Sequence, residues 1–298
     1  MNMIENLDWA YIRAFLAVAE GGSLSAAARA LKLSQPTLGR QIKAAENVLG
    51  VELFHRQPRG LTLTPTGKKL LAPAKDMQAA AARLSLVAEG QDDRLSGVVR
   101  ITASEMVAHY LLPPIIAKIR RVEPQIELEI HPSNASKNLL FREADIAVRM
   151  YRPDQLDIIA KHIGDMRMGM FASSAYIARF GMPTGIEDIS EHEFVGYVEN
   201  TAIIEGMKPL GFHVDRHFFK TRSDQQAVHW ELARAGCGIG FTQLRTGKMD
   251  ADMVQVLPDV PISALPFWLT APEALRTNPR IRRVFDLLSD ALCDVVDA

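Results

Sequence analysis

Hydrophobic and polar positions along the first 50 residues predict three short helices. Residues 8–20 carry apolar side chains at helical spacing, and Gly21-Gly22 ends this run. A second, alanine-rich helix is expected to begin at Ser23 or Ser25, because either hydroxyl can accept a hydrogen bond from a first-turn amide. This second helix is expected to end near Leu31.

The third predicted helix begins at Ser34 and ends at Leu49. Pro36 lies in its first turn, where a missing N–H costs little, and Gly50 suits the left-handed conformation that often follows a helix. Two short helices joined by a tight turn form a helix-turn-helix, whose second helix presents its first residues to base edges in the DNA major groove. The side chains expected on that surface are Ser34, Gln35, Pro36, Thr37, Arg40, Gln41 and Lys43.

These residue types match the chemistry of base recognition. Gln and Arg hydrogen-bond base edges, Thr and Pro offer apolar contact to thymine methyl groups, and Lys reaches phosphates. A helical bundle with a polar surface would give the same helix pattern, but the next segment argues against it. Two short strands joined by a turn at residues 57–60 predict a wing, with Arg56 and Arg59 near its tip to contact the DNA backbone or minor groove.

A long helix is predicted over residues 67–90. Leu70, Met77 and Leu84 recur every seven residues, a spacing that favours contact with a second helix. A helix that packs on its own domain is the alternative. Pro73 removes one backbone hydrogen bond and is expected to kink or delay the helix.

From Gly97 onward, strand and helix patterns alternate and predict an α/β body. Strands at 98–104, 126–132 and 144–150, separated by helices at 110–121 and 133–142, imply a parallel sheet with helices on both faces. Later strands are expected at 158–163, 167–172, 194–198, 238–243 and 266–270, later helices at 173–180, 224–235 and 278–296, and strand and turn at 209–220.

Length and composition indicate the number of domains and the cellular compartment. The chain has 298 residues, of which 48% are hydrophobic and 23% charged, as expected for a globular protein of about two domains. The sequence contains no apolar run near the ~18 residues that span a bilayer, and its start lacks the pattern of an export signal, so we expect a cytoplasmic protein. Cys237 and Cys293 are too far apart to suggest a disulfide framework or a metal site.

Charge divides the chain unevenly. Residues 1–72 contain nine Lys and Arg against five Asp and Glu, a balance of +4, whereas the remainder holds 25 against 30, a balance of −5. A basic N-terminal segment joined to an acidic body is typical of a nucleic-acid reader fused to a second function.

Residues throughout the N-terminal segment follow one known pattern in order and spacing. They are Ser25-Ala26-Ala27, Leu31, Ser34-Gln35-Pro36, Gln41-Ile42, Glu46, Leu49-Gly50, Leu53-Phe54, Arg56, Arg59, Leu63-Thr64 and Gly67. With this pattern the sequence resembles the LysR-type transcriptional regulators. Gly39 departs from the family, which usually carries serine there, and Ala45 stands where leucine is usual.

The resemblance implies a domain order. A winged helix-turn-helix domain would occupy residues 1–66, a linker and dimerisation helix 67–95, and an α/β effector-binding domain 96–298. The third domain would resemble a type 2 periplasmic binding protein, with half I at about 96–164 and 266–298, half II at about 165–265, and a cleft between them. Such regulators form homodimers, which implies a DNA operator with dyad symmetry; pairing of dimers into a homotetramer stays open.

Polar residues where the first three strands of the body end form the candidate effector site. They are Thr102 and Ser104 after the first strand, Ser133 and Asn134 after the second, and Arg149 in the third. Ligands of open α/β sheets lie at such strand ends, and hydroxyls, helix amides and a guanidinium suit a small anion. The alternatives are a helix cap for Ser133 and a surface ion pair for Arg149. By resemblance, the family's two cleft hydroxyls correspond to Ser104 and Ser133.

An α/β enzyme with an accessory helical domain is the competing hypothesis. The segment Gly236-Cys237-Gly238-Ile239-Gly240 is similar to a dinucleotide-binding loop, but a helix leads into these glycines and a strand leaves them, the reverse of the required order. The sequence contains no motif of a catalytic or metal site, so no catalytic residue, metal or cofactor is expected. The leading interpretation is a transcriptional regulator that binds double-stranded DNA and responds to a small, anionic effector.

Overall fold

The computed structural model describes residues 7–57, 60–90, 95–134, 144–153 and 158–296 of the chain. Its contacts divide the protein into two compact units, Met1–Ser85 and Leu86–Ala298. The first unit contains α1 (Trp9–Gly21), α2 (Leu24–Leu31), α3 (Gln35–Leu49), β1 (Phe54–Gln57) and β2 (Gly60–Leu63), and α4 (Pro65–Gly90) begins in it.

Serine caps set the starts of α2 and α3, as the sequence predicts. The hydroxyl of Ser23 accepts a hydrogen bond of 3.2 Å from the amide of Ala26, and Ser34 does the same for Thr37 at 3.3 Å. Lys32 has a φ of +55° and turns the chain sharply between the two helices. The apolar faces of α1, α2 and α3 then pack in one core with β1 and α4.

The predicted wing is present as the antiparallel pair β1–β2. Gly60 has a φ of +144°, and a Cβ atom there would collide with the carbonyl oxygen of Gly22. The amide of Leu61 donates a 2.8 Å hydrogen bond to that same oxygen, so the wing is attached to the turn between α1 and α2.

Helix α4 begins two residues before the predicted start and continues through Pro73, so the expected delay at this proline is not observed. Leu70 packs partly buried against the core of the first unit. Met77 and Leu84 are 41% and 76% exposed. The seven-residue repeat therefore leaves part of its apolar seam open to solvent.

The second unit holds the remaining elements in two larger sheets and one two-stranded sheet, with surrounding helices. Its strands are β3 (Gly97–Ala103), β4 (Ile126–Pro132), β5 (Ile146–Arg149), β6 (Ile158–Met166), β7 (Met168–Ser173), β8 (Val195–Gly196), β9 (Thr221–Arg222), β10 (Gly240–Gln243), β11 (Met253–Val256) and β12 (Leu265–Pro272). Its α-helices are α5 (Leu112–Val122), α6 (Ser174–Phe180), α7 (Ala202–Met207), α8 (Gln226–Arg234), α9 (Leu244–Lys248) and α10 (Pro279–Val296). Shorter helical segments lie at Val107–Leu111, Ile186–Glu191, Lys208–Leu210 and Glu273–Leu275.

Half I is built on a five-stranded sheet in the order β4-β3-β5-β12-β6. Strand β3 is parallel to both β4 and β5, as predicted, but β12 is antiparallel to β5 and β6. The sheet is therefore mixed. The predicted parallel arrangement is confirmed for β3, β4 and β5, and among the described strands of this sheet β12 alone runs in the opposite direction. Strand β12 comes back from half II in the opposite direction, a polarity that no local pattern reveals.

Half II contains the three-stranded antiparallel sheet β10-β7-β11 and the small parallel pair β8–β9. A single residue, Arg167, separates β6 of half I from β7 of half II. The chain returns between β11 and β12. The two halves are therefore joined at these two places in the chain.

Several boundaries in the second unit differ from the predictions. The helix expected from Tyr110 begins at residue 105, with a π-helical turn before α5. Ser133 and Asn134 are not helical, and the rest of the helix expected at 133–142 lies outside the described residues. The strands expected at 194–198 and 238–243 are shorter than predicted, and residues 209–220 contain no strand. Four short elements of the structure have no counterpart in the prediction: α7, α9, β9 and β11.

Candidate functional site

Helix α3 exposes most of the surface predicted for base contact. Ser34, Gln35, Pro36, Arg40 and Lys43 are exposed, and Thr37 is half-buried. The hydroxyls of Ser34 and Thr37 lie 2.8 Å apart, which fixes the first turn of the helix. On the opposite face Leu38, Ile42 and Ala45 enter the core. Ala45 is 1% exposed, and the smaller residue at this family position lines an apolar cavity of about 100 Å³.

Two glutamines of α3 are held differently. The hydroxyl of Ser25 in α2 donates to Oε1 of Gln35 at 3.2 Å, which leaves the amide nitrogen of Gln35 available to donate outward. Gln41 is half-buried, and its Oε1 is buried without a hydrogen-bond partner among the described atoms. Gln41 is therefore less accessible to a base edge than its helical position predicts.

Gly39 lies on α3 beside this surface, at the position where the family usually has serine. A Cβ atom there would come no closer than 4.0 Å to any neighbouring atom, the nearest being Cδ1 of Leu24. The backbone therefore has room for a larger residue at this position.

Glu46 connects α3 to the segment that leads into the wing. Its Oε1 accepts a 3.0 Å hydrogen bond from the amide of Leu53, just before β1, and its Oε2 lies 3.7 Å from Nζ of Lys43. Arg56 is exposed on β1. Arg59, predicted at the wing tip, lies outside the described residues. Sequence reasoning treated Glu46 only as part of a family pattern, because its bond to Leu53 depends on tertiary packing.

The strand register of half I brings the predicted effector residues together. Ala103 on β3 pairs with Pro132 on β4 and with Val148 on β5. One residue further along, Ser104 therefore neighbours both Ser133 and Arg149. The amide of Ser133 donates to the carbonyl of Ala103 at 2.8 Å, which fixes this edge of the sheet.

Asn134 and Ser104 lie where the helix after β3 begins. Oδ1 of Asn134 accepts a 3.0 Å hydrogen bond from the amide of Glu105, so Asn134 caps that helix from a neighbouring strand. The hydroxyl of Ser104 is buried and has no partner among the described atoms, and the same is true of Oε2 of Glu105. A buried polar group normally has a partner, so a hydroxyl without one at a strand end makes Ser104 a candidate for contact with a ligand.

Arg149 and Thr102 are buried rather than open to solvent. Arg149 is 4% exposed, and its guanidinium donates to the hydroxyl of Thr102 at 2.9 Å and to the carbonyl of Val148 at 3.1 Å. The Thr102 hydroxyl itself donates to the carbonyl of His131 at 2.9 Å. Burial lowers the pKa of Arg149, and the neighbouring Tyr151 hydroxyl opposes that shift. Among the described residues no carboxylate lies within ion-pair distance of Arg149, so the surface ion pair considered for it is not observed.

Half II contributes residues that sequence reasoning did not select. Nε2 of Gln243, at the end of β10, lies 3.4 Å from Sδ of Met150 in half I. The Tyr110 hydroxyl donates to Oε1 of Glu231 at 3.0 Å across the two halves, and burial together with this carboxylate raises the pKa of Tyr110 to about 12.

The glycine-rich segment after α8 forms a turn into β10. Gly236 and Gly238 have φ values of +83° and +151°, and Cys237 between them is half-buried and free. Helix, turn and strand follow in the order that the sequence indicated, opposite to a dinucleotide loop. Among the described residues no group of His, Cys, Asp and Glu side chains could hold a metal ion.

Comparison with known proteins gives the same assignment for both units. Residues 9–68 match the family described as bacterial regulatory helix-turn-helix protein, lysR family, and residues 92–293 match the LysR substrate binding domain. The HTH-type transcriptional regulator CrgA of Neisseria meningitidis serogroup C is 31% identical over 231 residues, which cover 76% of each chain.

Solved structures share the fold. The structure of CrgA, a LysR-type transcriptional regulator from Neisseria meningitidis, has a TM-score of 0.59 and 26% identity, and it covers 95% of this chain and 98% of its own. The full-length structure of the Vibrio cholerae virulence activator AphB has a TM-score of 0.59 and 22% identity over 96% of this chain and 98% of its own, which is a likeness of fold.

A winged helix-turn-helix joined to a two-half α/β body defines a ligand-responsive transcriptional regulator. The chain belongs to the LysR family of these bacterial regulators, which confirms the resemblance seen in the sequence. The competing enzyme hypothesis finds no support in the comparisons. In the part of the chain that is described, no helix is long and apolar enough to cross a membrane.

Proposed function

We propose that this regulator reads a specific DNA operator with α3 and the wing. The contacts to bases are assigned to Ser34, Gln35, Pro36, Thr37, Arg40 and Gln41, and those to the DNA backbone to Lys43, Arg56 and Arg59. The exposed polar face of α3, fixed by the Ser34 cap and backed by a packed apolar face, is the observation that carries this proposal. Because the Gln35 amide is oriented by Ser25, we expect Gln35 to donate to an acceptor on a base edge.

A homodimer would place two such helices on one operator. The exposed side chains of Met77 and Leu84 on α4 support this assembly, because they continue the apolar repeat beyond the part that the core of the first unit covers. Two reading helices related by a twofold axis would match half-sites centred ~10 base pairs, or a multiple of that, apart. Association of dimers into tetramers would extend the operator further.

The effector site is assigned to the strand ends of half I. Ser104, Ser133, Asn134 and Arg149 would contact the ligand, and Thr102 would hold Arg149 in place. Among the described residues, the Ser104 hydroxyl has no hydrogen-bond partner and the buried Arg149 guanidinium has no carboxylate partner. Both observations favour a small anion, since each group would gain a charge-assisted hydrogen bond. Half II would close over it from the side of Gln243.

The response follows from a shift between conformations. An effector that contacts both halves would favour the closed cleft, and the DNA affinity of the dimer would change by the same coupling free energy. We assign the protein no catalytic residue, and the effector is the only small-molecule ligand that this function requires. We place the protein in the cytoplasm. Its DNA-binding domain would occupy about 1–66, its linker helix 67–95 and its effector-binding domain 96–298.

A capture experiment tests this function. Purified protein is mixed with a random DNA library at moderate ionic strength, bound fragments are sequenced, and the capture is repeated with a panel of organic acids. We expect enrichment of one dyad-symmetric motif and a shift in its enrichment with at least one acid. Equal recovery of all sequences, with and without acids, would contradict the proposal.

A further inference from the structure

A second cavity lies at the crossing between the two halves, away from the cleft residues. It has a volume of about 360 Å³. Its lining includes Arg167 at the crossing, Arg245 and Lys248 on α9, and apolar side chains that include Met166, Leu244 and Val295. This volume is within the range of small-molecule sites, and the lining combines positive charge with apolar surface.

The walls of this crossing cavity come from both halves of the body. Met166 ends β6 of half I and Val295 lies in the last turn of α10, whereas Leu244, Arg245 and Lys248 form α9 of half II. Arg167 is the single residue between the two sheets, and its carbonyl accepts a 2.8 Å hydrogen bond from the amide of Leu244. A molecule in the cavity would therefore touch the crossing and both halves at once.

The three cations of the cavity form no ion pair with any described residue. The side chains of Arg167, Arg245 and Lys248 make no hydrogen bond or ion pair with any described residue, whereas other arginines of the body do. Arg234, for example, binds Glu231 and Asp250. Asp294 lines an adjoining cavity of about 230 Å³ together with Arg245, so a carboxylate lies in the neighbourhood of this cation without an ion pair to it among the described residues.

Like charges gathered around one cavity repel each other, and a bound anion removes that repulsion. The apolar lining would gain from burial of a hydrocarbon part of the same molecule. Inorganic ions alone would leave this apolar lining unused. The combination therefore selects an amphipathic anion.

We propose that the crossing cavity is a second ligand site, which binds a small amphipathic anion. A carboxylate, sulfonate or phosphate group would lie between Arg167, Arg245 and Lys248, and the apolar part would lie against Met166, Leu244 and Val295. Because the ligand bridges the halves, its binding is linked to their relative angle and hence to the cleft.

The test uses the full chain and 1-anilinonaphthalene-8-sulfonate, an amphipathic anion whose fluorescence rises in apolar sites. The double variant R245Q/K248Q is titrated beside wild type, with R276Q as the control, since Arg276 is exposed in the same body and lines neither cavity. We expect the double variant to bind the probe at least tenfold more weakly and R276Q to match wild type. Phenyl phosphate should displace the probe from wild type.

Equal probe affinity in wild type and R245Q/K248Q would overturn the proposal, as would failure of phenyl phosphate to displace the probe. Should the double variant lose its native circular dichroism, K248E gives an independent measurement, because Lys248 is exposed and its side chain has no described partner. We expect K248E to lower the affinity for the probe more than K248Q does. The same affinity in both variants would contradict a site built on positive charge.

Discussion

The guanidinium of Arg149 donates a hydrogen bond of 2.9 Å to the hydroxyl of Thr102, and both residues are almost completely buried. The Thr102 hydroxyl in turn donates a hydrogen bond of 2.9 Å to the carbonyl of His131. The pair connects β5 to β4 through β3, so the orientation of the one buried arginine in the candidate effector site depends on a residue that need not touch the ligand itself.

Replacement of Thr102 by valine should weaken the effector response without removing Arg149. Valine has nearly the same shape as threonine but lacks the hydroxyl that accepts a hydrogen bond from the Arg149 guanidinium. Loss of that hydroxyl should lower the free energy of unfolding by about 1–3 kcal/mol and leave the arginine side chain free to change its orientation. Urea unfolding measures the stability, and the effector concentration for half-maximal change in DNA binding measures the response.

Thr270→Val is the matched control. The Thr270 hydroxyl is also buried in the same sheet and bonds the carbonyl of Ala147 at 3.4 Å, whereas the described hydrogen bonds of Arg149 go to Thr102 and Val148. We expect T270V to change stability and leave the effector concentration unaltered. An unaltered effector concentration in T102V as well would show that Thr102 does not position Arg149.

Ser104→Ala separates a ligand contact from a structural one. Because the buried Ser104 hydroxyl has no partner in the described part of the chain, its removal should leave the free energy of unfolding within ~0.5 kcal/mol of wild type while it reduces the effector response. Ser289→Ala is the comparison, since the Ser289 hydroxyl accepts a 2.6 Å hydrogen bond from Lys161. S289A should lose stability and keep its response; a full response in S104A would remove Ser104 from the site.

Gln35→Ala tests the reading surface. Loss of one base contact should weaken operator binding by about 1–3 kcal/mol and relax the base preference at one position in each half-site. Asn47→Ala, an exposed change near the other end of α3, should leave both quantities unchanged. Fluorescence anisotropy with the captured operator and with random DNA gives the two affinities. Equal weakening on both DNAs would argue against base contact by Gln35.

Gly39→Ala should stabilise the DNA-binding unit. Glycine inside a helix costs about 0.5–1 kcal/mol relative to alanine, and a Cβ atom at this position meets no atom closer than 4.0 Å. The urea midpoint of the variant should therefore rise. A lower midpoint would mean that the glycine is needed for the fold, whereas we expect it to matter for which DNA sequence is bound.

Local chemistry allowed much of this fold to be predicted. The caps at Ser23 and Ser34, the turn at Lys32 and the wing all depend on residues close in sequence, and each is present. The direction of β12 was missed because it depends on a chain that travels through half II and returns. The short helix α9 was missed because its five residues show no helical repeat.

The residues of the candidate effector site could be predicted from the sequence, but their hydrogen-bond partners could not. Sequence position placed Thr102, Ser104 and Arg149 at neighbouring strand ends, and the register of β3 with β5 agrees with that expectation. The hydrogen bond that Thr102 accepts from Arg149 depends on packing across strands, and so does the position of the Ser104 hydroxyl, which has no partner among the residues that the structure describes. The cations of the crossing cavity lie far apart in sequence, at Arg167 and on α9, so no motif marks them.

The most direct test of the central claim is methylation protection of the captured operator by dimethyl sulfate, which modifies guanine N7 in the major groove and adenine N3 in the minor groove. Helix α3 in the major groove predicts protected guanines in two half-sites related by a dyad, with centres ~10 base pairs or a multiple of that apart. Q35A should lose protection at one guanine in each half-site, or shift it. Uniform guanine reactivity along the bound operator would contradict recognition by α3.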